Sequence, residues 1–267
     1  MSVSPPPRQT LAVPHRDRDS GRVDITLEHR PGKAPGILWL SGFMSDMSGG
    51  KAMMLDTWAA ETGYACTRFD YSGHGVSDGD IRDGTIGQWL SEAQAVFKTT
   101  NGPQIVVGSS MGGYLSLLMT LAERQAQGDD SRIAGLVLIA PAVDMTERRM
   151  WDEMRPEDRD KIQRDGFLLE PTPYSDQPYI ITHRLIEEGR RHLLKPLGPL
   201  DLGCPVHILQ GRLDEDVPPH VSTDLAAQIF GDVTLELIST GDHRLSRPED
   251  LDRLVRCVAG LVSATPS

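Results

Sequence analysis

Short apolar runs alternate with longer amphipathic stretches along most of this chain. A brief apolar run is typical of a buried strand, and apolar residues that recur every three or four positions predict a helix. The predicted strands lie at residues 23–28, 37–40, 65–69, 105–107, 136–140, 206–209 and 233–238. The predicted helices lie at residues 51–61, 86–98, 113–125, 221–230 and 248–262. This order predicts an α/β protein with a mostly parallel sheet, helices on both faces and ligands bound beyond the carboxyl ends of the strands.

One connection interrupts the alternation. Residues 144–202 separate two predicted strands, although connections in such folds usually contain about 2 to 6 residues. Two helix-like stretches, at 147–163 and 177–194, carry apolar and aromatic side chains. We interpret this insertion as a helical lid over the site. The alternative is an ordinary helical excursion whose aromatic residues pack on the main core.

The chain of 267 residues predicts one large domain with an insertion. We assign residues 1–21 to a mobile tail, residues 22–143 and 203–262 to the core, and residues 144–202 to the lid. No apolar run reaches the roughly 18 residues that a membrane span needs. The amino terminus lacks the apolar centre of a secretory signal, which favours a cytoplasmic protein.

Charge and cysteine content narrow the function classes. The formal net charge is −11 at pH 7, whereas a nucleic-acid-binding protein needs a clustered basic face. Nucleic acid is therefore not an expected partner. Cys66, Cys204 and Cys257 are odd in number and lack metal-ligand spacing, so we predict reduced thiols, no disulfide framework and no metal site.

A serine between two glycines supplies the first candidate for chemistry. Gly108-Ser109-Ser110-Met111-Gly112 follows an apolar strand and precedes a helix. In a Gly-x-Ser-x-Gly elbow, a strained turn presents the serine hydroxyl above the sheet, and the glycines allow strand and helix to approach. Only Ser110 has glycine at both flanking positions, so Ser110 is the predicted nucleophile. A small-residue turn that merely packs a helix on a sheet is the alternative.

A serine nucleophile needs a histidine base and an acid, in the chain order Ser, Asp, His. The loop after the strand at 206–209 contains Asp214, which we predict to be the acid, with Glu215 and Asp216 as rivals. His243 lies in a glycine-containing loop after the last predicted strand, where the base of such a triad belongs. His74, in a glycine-rich turn, is a weaker candidate.

Two backbone amides are predicted to stabilise the developing oxyanion. One belongs to Met111, directly after the nucleophile, and the other to Phe43 in the loop after the strand at 37–40. Gly42 allows the backbone to approach the reacting carbonyl.

Together these residues resemble the α/β-hydrolase superfamily. Within it, the segments at residues 42–43, 45–49, 68–73, 108–113 and 239–244 are similar to those of mitochondrial palmitoyl-protein thioesterases that also cleave acyl glucuronides. The likeness spans about residues 22–262 and includes Pro173-Tyr174-Ser175 in the insertion. It implies a hydrolase of carboxylic esters or thioesters that works without a cofactor.

We therefore expect a serine hydrolase that forms an acyl-enzyme on Ser110 and acts on a small-molecule or acylated substrate. The aromatic residues of the insertion predict an apolar acyl group. A peptidase or a carbon–carbon bond hydrolase would use the same three side chains, and a ligand-binding protein on the same scaffold would use none of them. These remain alternatives at this point.

Overall fold

A twisted sheet forms the centre of the protein, for which the computed structural model describes residues 4–15 and 21–265. Along these residues the strands are β1 (Arg8–Pro14), β2 (Arg22–Arg30), β3 (Lys33–Leu40), β4 (Tyr64–Phe69), β5 (Gln104–Ser109), β6 (Ile133–Ile139), β7 (Phe167–Glu170), β8 (Tyr179–Thr182), β9 (Leu200–Asp201), β10 (Val206–Gly211), β11 (Ile229–Phe230) and β12 (Val233–Ile238). Within the described part of the chain, eight of them form the main sheet in the order β1-β2-β4-β3-β5-β6-β10-β12.

The main sheet is mostly parallel. β1 pairs antiparallel with β2, and β2 pairs antiparallel with β4. From β4 onward, every neighbouring pair is parallel. Both faces of the central strands are covered, and every residue of β5 is buried. This explains why the central strands appear in the sequence as continuous apolar runs rather than as alternating patterns.

Helices cover both faces of this sheet. Their bounds are α1 (Gly50–Thr62), α2 (Ile86–Thr99), α3 (Met111–Gln127), α4 (Pro156–Asp165), α5 (His183–Gly189), α6 (Pro219–Gln228) and α7 (Pro248–Ala264). Apolar residues of α1 and α7 pack in one buried cluster, and those of α2, α3 and α6 pack in the other. The predicted α/β architecture is confirmed, with the five predicted helices at α1, α2, α3, α6 and α7.

The last helix shows how the sequence pattern determines packing. Leu254, Val258 and Leu261 recur on one face of α7 and are buried against the sheet. Pro248 occupies the first turn, where its missing N–H costs no helical hydrogen bond. The Asp250 carboxylate accepts a hydrogen bond from the Arg247 amide at 3.3 Å, so the start of the helix is capped.

The insertion between β6 and β10 contains more than the two predicted helices. A π-helical turn at Thr146–Trp151 and then α4 occupy the first predicted stretch. In the second stretch, Tyr179–Thr182 forms β8, which pairs antiparallel with β7, and α5 follows. The helix prediction at residues 179–182 is wrong because the run Tyr-Ile-Ile-Thr has strong β propensity and finds a partner strand.

Asp144 closes the base of the insertion. Its buried carboxylate accepts hydrogen bonds from the amides of Leu194 at 2.7 Å and Lys195 at 3.0 Å. These residues lie about fifty positions further along the chain. The two ends of the insertion are therefore held together beside the sheet.

The amino-terminal region differs from the predicted tail. Arg8–Pro14 forms β1 and pairs along its full length with β2. Val13 is buried against the core, so this segment is an edge strand of the sheet. Residues 1–3 and 16–20, which the same prediction covered, lie outside the described residues. No helix among the described residues is both long and apolar enough to span a bilayer.

Four loops at the carboxyl ends of parallel strands converge on one edge of the sheet. Phe43 follows β3, Ser110 follows β5, Asp214 follows β10 and His243 follows β12. Ligands of open α/β sheets bind at this edge. The fold thus brings the predicted site residues to one place.

Candidate active site

Ser110 occupies a strained turn between β5 and α3. Its φ of 54° and ψ of −116° lie outside the regions that residues with side chains ordinarily adopt. The turn is held by hydrogen bonds from the Ser110 amide to the Ile139 carbonyl at 2.8 Å and from the Ala142 amide to the Ser110 carbonyl at 3.1 Å. This is the conformation that the serine elbow predicts.

Two glycines make the turn possible. A Cβ on Gly108 would overlap the carbonyl oxygen of Gly112, and a Cβ on Gly112 would overlap the carbonyl oxygen of Leu40. Each glycine therefore allows a close approach between the turn, the first residues of α3 and the neighbouring strand. The packing explains the glycines, whereas it does not explain why the residue between them carries a hydroxyl.

Asp214 is a buried carboxylate with all its acceptor positions used. Its Oδ1 accepts hydrogen bonds from the amides of Asp216 at 3.0 Å and Val217 at 2.8 Å. Its Oδ2 accepts from Gln210 Nε2 at 2.9 Å and lies 2.9 Å from His243 Nδ1. The side chain is fully buried, so these four contacts replace its hydration and fix its position.

His243 connects this carboxylate to the serine. Its Nδ1 lies 2.9 Å from Asp214 Oδ2, and its Nε2 lies 3.1 Å from Ser110 Oγ. Because Asp214 can only accept, Nδ1 carries the proton and Nε2 is the free acceptor that faces the serine hydroxyl. The three residues predicted from the sequence therefore lie in one line of hydrogen bonds.

The acid and histidine loops are in direct contact with each other. The Leu213 amide donates to the Gly241 carbonyl at 2.9 Å, and the Gly241 amide donates to the Ile238 carbonyl at 3.0 Å. A Cβ on Gly211 would approach the Gly241 and Asp242 carbonyl oxygens to 2.5 Å. The distance between Asp214 and His243 is therefore set by backbone packing.

The other candidates for the acid and the base do not lie between Asp214 and Ser110 in this line of hydrogen bonds. Glu215 is exposed. The Asp216 amide donates a hydrogen bond to Asp214, and the Asp216 carboxylate accepts one from the Tyr174 hydroxyl. His74 is 3 % exposed and lies below the loop after β3. Burial lowers the pKa of His74 to about 4, so this ring is uncharged at neutral pH.

The turn that contains His74 stabilises the loop after β3. Asp70 accepts hydrogen bonds from the amides of Met47 at 2.7 Å and Val76 at 2.9 Å. Arg68 Nη1 donates to the Met47 carbonyl at 2.8 Å. These contacts fix the loop after β3, and with it the position of Phe43.

The two predicted oxyanion donors belong to different segments that meet at Ser110. Met111 is the first residue of α3, so its amide has no acceptor within the helix. Phe43 follows Gly42, whose added Cβ would lie 3.5 Å from Ser110 Cβ. The loop that carries the Phe43 amide therefore runs directly beside the serine.

A cavity of about 290 Å³ opens beside Ser110 and His243. One part of its lining is apolar and is formed by Met44, Met145, Met150, Tyr179, Ile181 and Val217. The polar lining residues include Asp46, Lys51, Arg149, Glu170, Ser175, Asp216, Arg244 and Ser246. The insertion supplies residues to both parts, so it forms walls of the cavity.

Two residues that line the cavity and one buried residue behind it were not singled out as site residues from the sequence. Gln210 holds Asp214, Tyr174 contacts Asp216, and Lys51 donates a hydrogen bond through Nζ to the Arg244 carbonyl. Burial and the nearby Arg244 lower the pKa of Lys51 to about 8. The aromatic content of the insertion was the one sequence signal that included Tyr174, whereas Gln210 and Lys51 resemble ordinary polar residues of a strand and a helix.

Asp214, Asp216 and His243 also present three potential metal-ligand atoms within 4.8 Å of one another. The four acceptor positions of Asp214 are already taken by N–H groups, and the two ring nitrogens of His243 face Asp214 and Ser110. A metal ion would have to replace these contacts. The donor set fits proton transfer better than metal binding.

Known proteins resemble this chain over most of its length. The sequence profile described as Alpha/beta hydrolase family matches residues 35–254. The mitochondrial palmitoyl-protein thioesterase ABHD10 of Bos taurus is 34 % identical over 242 residues, which cover 90 % of this chain and 76 % of the relative. The Homo sapiens protein of the same name is 32 % identical over 234 residues, with 86 % and 74 % covered.

Solved structures are also similar to this protein over almost the whole chain. A candidate hydrolase from Agrobacterium vitis S4 superposes with a TM-score of 0.90 at 39 % identity, covering 97 % of this chain and 100 % of the other. Alpha/beta hydrolase domain-containing protein 10 from mouse superposes with a TM-score of 0.81 at 30 % identity, with 96 % and 99 % covered.

The relatives also correct the expected location. They are named mitochondrial, so the expectation of a cytoplasmic protein is wrong. That expectation depended on the lack of an apolar stretch near the amino terminus. The lack of such a stretch carries no information about a mitochondrial leader, because mitochondrial leaders are amphipathic and rich in arginine and serine.

Proposed function

The chain belongs to the alpha/beta hydrolase family, and we propose that it cleaves carboxylic esters or thioesters through an acyl-enzyme intermediate on Ser110. The observation that supports this most directly is the hydrogen-bonded line from Asp214 through His243 to Ser110. The line ends at the cavity, where a substrate carbonyl can approach the serine hydroxyl. The relatives named as thioesterases support the same class of reaction.

In the first step, Ser110 Oγ attacks the carbonyl carbon while its proton moves to His243 Nε2. The separation of 3.1 Å between these atoms is within the reach needed for a general base. His243 becomes an imidazolium, and the buried Asp214 carboxylate stabilises that charge through the Nδ1–H hydrogen bond.

The carbonyl oxygen acquires negative charge in this step. The amides of Met111 and Phe43 are proposed to donate to it. Collapse of the tetrahedral intermediate breaks the bond to the leaving alcohol or thiol, which takes the proton from His243. Water then attacks the acyl-enzyme with His243 again as base, which releases the carboxylic acid and restores Ser110.

The cavity lining supports an apolar acyl group. Methionine, isoleucine and valine side chains form its apolar part, and a methionine-rich surface adapts to flexible chains. The polar lining residues, which include Lys51 and Arg244, suit the more polar leaving group. The palmitoyl group in the relatives' name is consistent with this arrangement.

We also propose that the chain is organised as a core and a lid. The insertion contributes Met150, Tyr174 and Tyr179 to the cavity walls, so a substrate would lie between the insertion and the sheet edge. Residues 22–143 and 203–262 form the core in this division, with residues 144–202 as the lid.

Turnover of p-nitrophenyl esters and acyl-CoA thioesters tests the proposal, with Ser110→Ala as the matched control. We expect hydrolysis by the natural chain, loss of activity in Ser110→Ala, and addition of one fluorophosphonate group that maps to Ser110 by mass spectrometry. Absence of both turnover and labelling would instead support a ligand-binding protein on a hydrolase scaffold.

A series of acyl chain lengths tests the acyl preference separately. We expect kcat/KM to rise from acetyl to medium-length acyl groups because each added methylene contributes about 0.8 kcal/mol when it is buried. Best cleavage of acetyl esters, with decanoyl esters scarcely cleaved, would contradict the apolar acyl site.

A further inference from the structure

Tyr174 links the insertion to the loops that carry Asp214 and His243. It lies between β7 and β8, and its hydroxyl donates a hydrogen bond to the Asp216 carboxylate. The centroid of its ring lies 6.3 Å from that of the His243 ring, at an interplanar angle of 41°. The guanidinium of Arg244 lies 5.8 Å from the centroid of the same ring.

Asp216 is in turn connected to the line of hydrogen bonds in two ways. Its amide donates to Asp214 Oδ1 at 3.0 Å, so the backbone of Asp216 helps to fix the acid. A carboxylate oxygen of Asp216 lies within 4.8 Å of a ring nitrogen of His243. Movement of Asp216 would therefore disturb both the acid and the histidine.

We infer that Tyr174 and Asp216 form a positioning pair that keeps His243 aligned between Asp214 and Ser110. This inference rests on the proposed function. The tyrosine hydroxyl holds the Asp216 side chain, and the tyrosine ring lies beside the imidazole, where it limits the space for rotation of that ring. Neither residue touches the reacting atoms, so both act through His243.

The protonation state of Tyr174 suits this role. Burial and the hydrogen bond to Asp216 raise the pKa of Tyr174 above its ordinary value. The hydroxyl therefore remains a donor at neutral pH, and the contact persists over the range in which a serine hydrolase works.

An alternative interpretation is that Tyr174 contacts the acyl group and does not position His243, because its side chain also lines the cavity. The two readings differ in which kinetic constant changes. Loss of a substrate contact raises KM for long acyl groups, whereas poor alignment of His243 lowers kcat for every substrate, including esters with a short acetyl group.

The test uses Tyr174→Phe, Asp216→Leu and the double variant, each assayed with p-nitrophenyl acetate and p-nitrophenyl decanoate. Both single variants remove the same hydrogen bond from opposite ends and keep the approximate shape of the side chain, and the Asp216 backbone amide that donates to Asp214 is present in both. We expect kcat to fall about tenfold for both esters in each single variant, the size typical of a lost hydrogen bond to a charged group. Because the pair acts as a unit, the double variant should lose little more than either single variant.

Matched controls are Tyr64→Phe, which changes a tyrosine stacked on Trp58 away from the cavity, and Glu215→Gln, which changes the exposed neighbour of Asp216. Both should keep the natural kcat. Thermal unfolding of every variant checks that the fold is intact, and if one single variant fails to fold, the other still decides the question.

The inference is overturned if kcat stays within about twofold of the natural value, if only KM for the decanoyl ester rises, or if the losses of the single variants multiply in the double variant. The Ser110→Ala control separates this failure from failure of the proposed function. Full turnover in Ser110→Ala would end the proposed function, whereas an inactive Ser110→Ala beside a fully active Tyr174→Phe would end the positioning role alone.

Discussion

Gly112 lies directly against the carbonyl group of Leu40. A methyl group on Gly112 would overlap the Leu40 carbonyl oxygen and approach that of Ser41 to 2.7 Å. Leu40 is the last residue of β3, so the start of α3 packs on the strand that precedes the Phe43 loop. The serine turn and the predicted oxyanion loop are thus held in register by one close backbone contact.

Gly112→Ala should therefore destabilise the protein. Its methyl group meets backbone rather than a flexible side chain, so strand or helix must move, and such overpacking costs about 1–3 kcal/mol or more. Urea unfolding measures this as a lower midpoint. The matched control is Gly260→Ala, because Gly260 lies in α7 with nothing within 4 Å of an added Cβ. This control should gain about 0.5–1 kcal/mol from helix propensity, and equal effects of the two changes would contradict the packing argument.

Asp214→Asn should abolish most turnover while the fold persists. An asparagine amide in this position offers N–H to His243 Nδ1, which favours the wrong tautomer and removes the charge that stabilises the imidazolium. We expect kcat to fall by a factor of about 10³ to 10⁴. Steady-state kinetics with a p-nitrophenyl ester checks the size, and Glu215→Gln serves as the adjacent control. A variant that keeps a tenth of the natural kcat would show that another acid, such as Asp216, supports the histidine.

The cysteines should be unreactive in the folded protein. Burial raises the pKa of Cys66 to about 12 and that of Cys204 to about 12, and it also raises the pKa of Cys257. The thiolate, which is the reactive form, is therefore scarce at pH 8. Brief treatment with iodoacetamide should add no mass to the native chain and three adducts to the chain in guanidinium. Rapid alkylation of Cys66 in the native protein would contradict its burial.

Local patterns were sufficient for the core of the fold and for the three aligned side chains. β5 and β10 contain short apolar runs and β12 alternates apolar with polar residues, and each strand is followed by a segment with a glycine and a polar residue suited to chemistry. Ser110 and His243 are 133 residues apart, yet the order of parallel strands places the ends of β5 and β12 at one sheet edge. General rules of α/β topology were therefore sufficient to predict that the two residues lie close together.

Features that depend on one particular tertiary contact were not predictable. β1 contains Pro14 and only two of its seven side chains are shielded from solvent, so its sequence carries little apolar signal until β2 provides a partner. The bond from Tyr174 to Asp216 joins residues 42 positions apart in two loops without regular structure. No periodicity or spacing rule relates such loops, and only the packed fold shows that they meet.

His74 predicts how stability depends on pH. Its ring packs edge-on against Tyr71 and Trp89, and burial lowers its pKa to about 4, against about 6.5 in an unfolded chain. Between these values the unfolded chain binds a proton that the folded chain excludes, so the free energy of unfolding falls as the pH falls from 6.5 to 4. Below pH 4 both states are protonated and this contribution levels off. From pH 7 to pH 4.5 the loss should be about 2.5 kcal/mol.

Urea unfolding of the natural chain and of His74→Phe at pH 7 and pH 4.5 isolates this contribution. The absolute stability of the variant is expected to change, because His74 Nδ1 lies 3.1 Å from the Ser72 carbonyl and phenylalanine cannot donate to it. The difference between the two pH values is the informative quantity, since Asp70 and Glu92 titrate in both proteins and their contributions cancel. The variant should lose about 2.5 kcal/mol less than the natural chain over this interval. Equal losses would mean that the His74 ring takes up its proton without leaving the core.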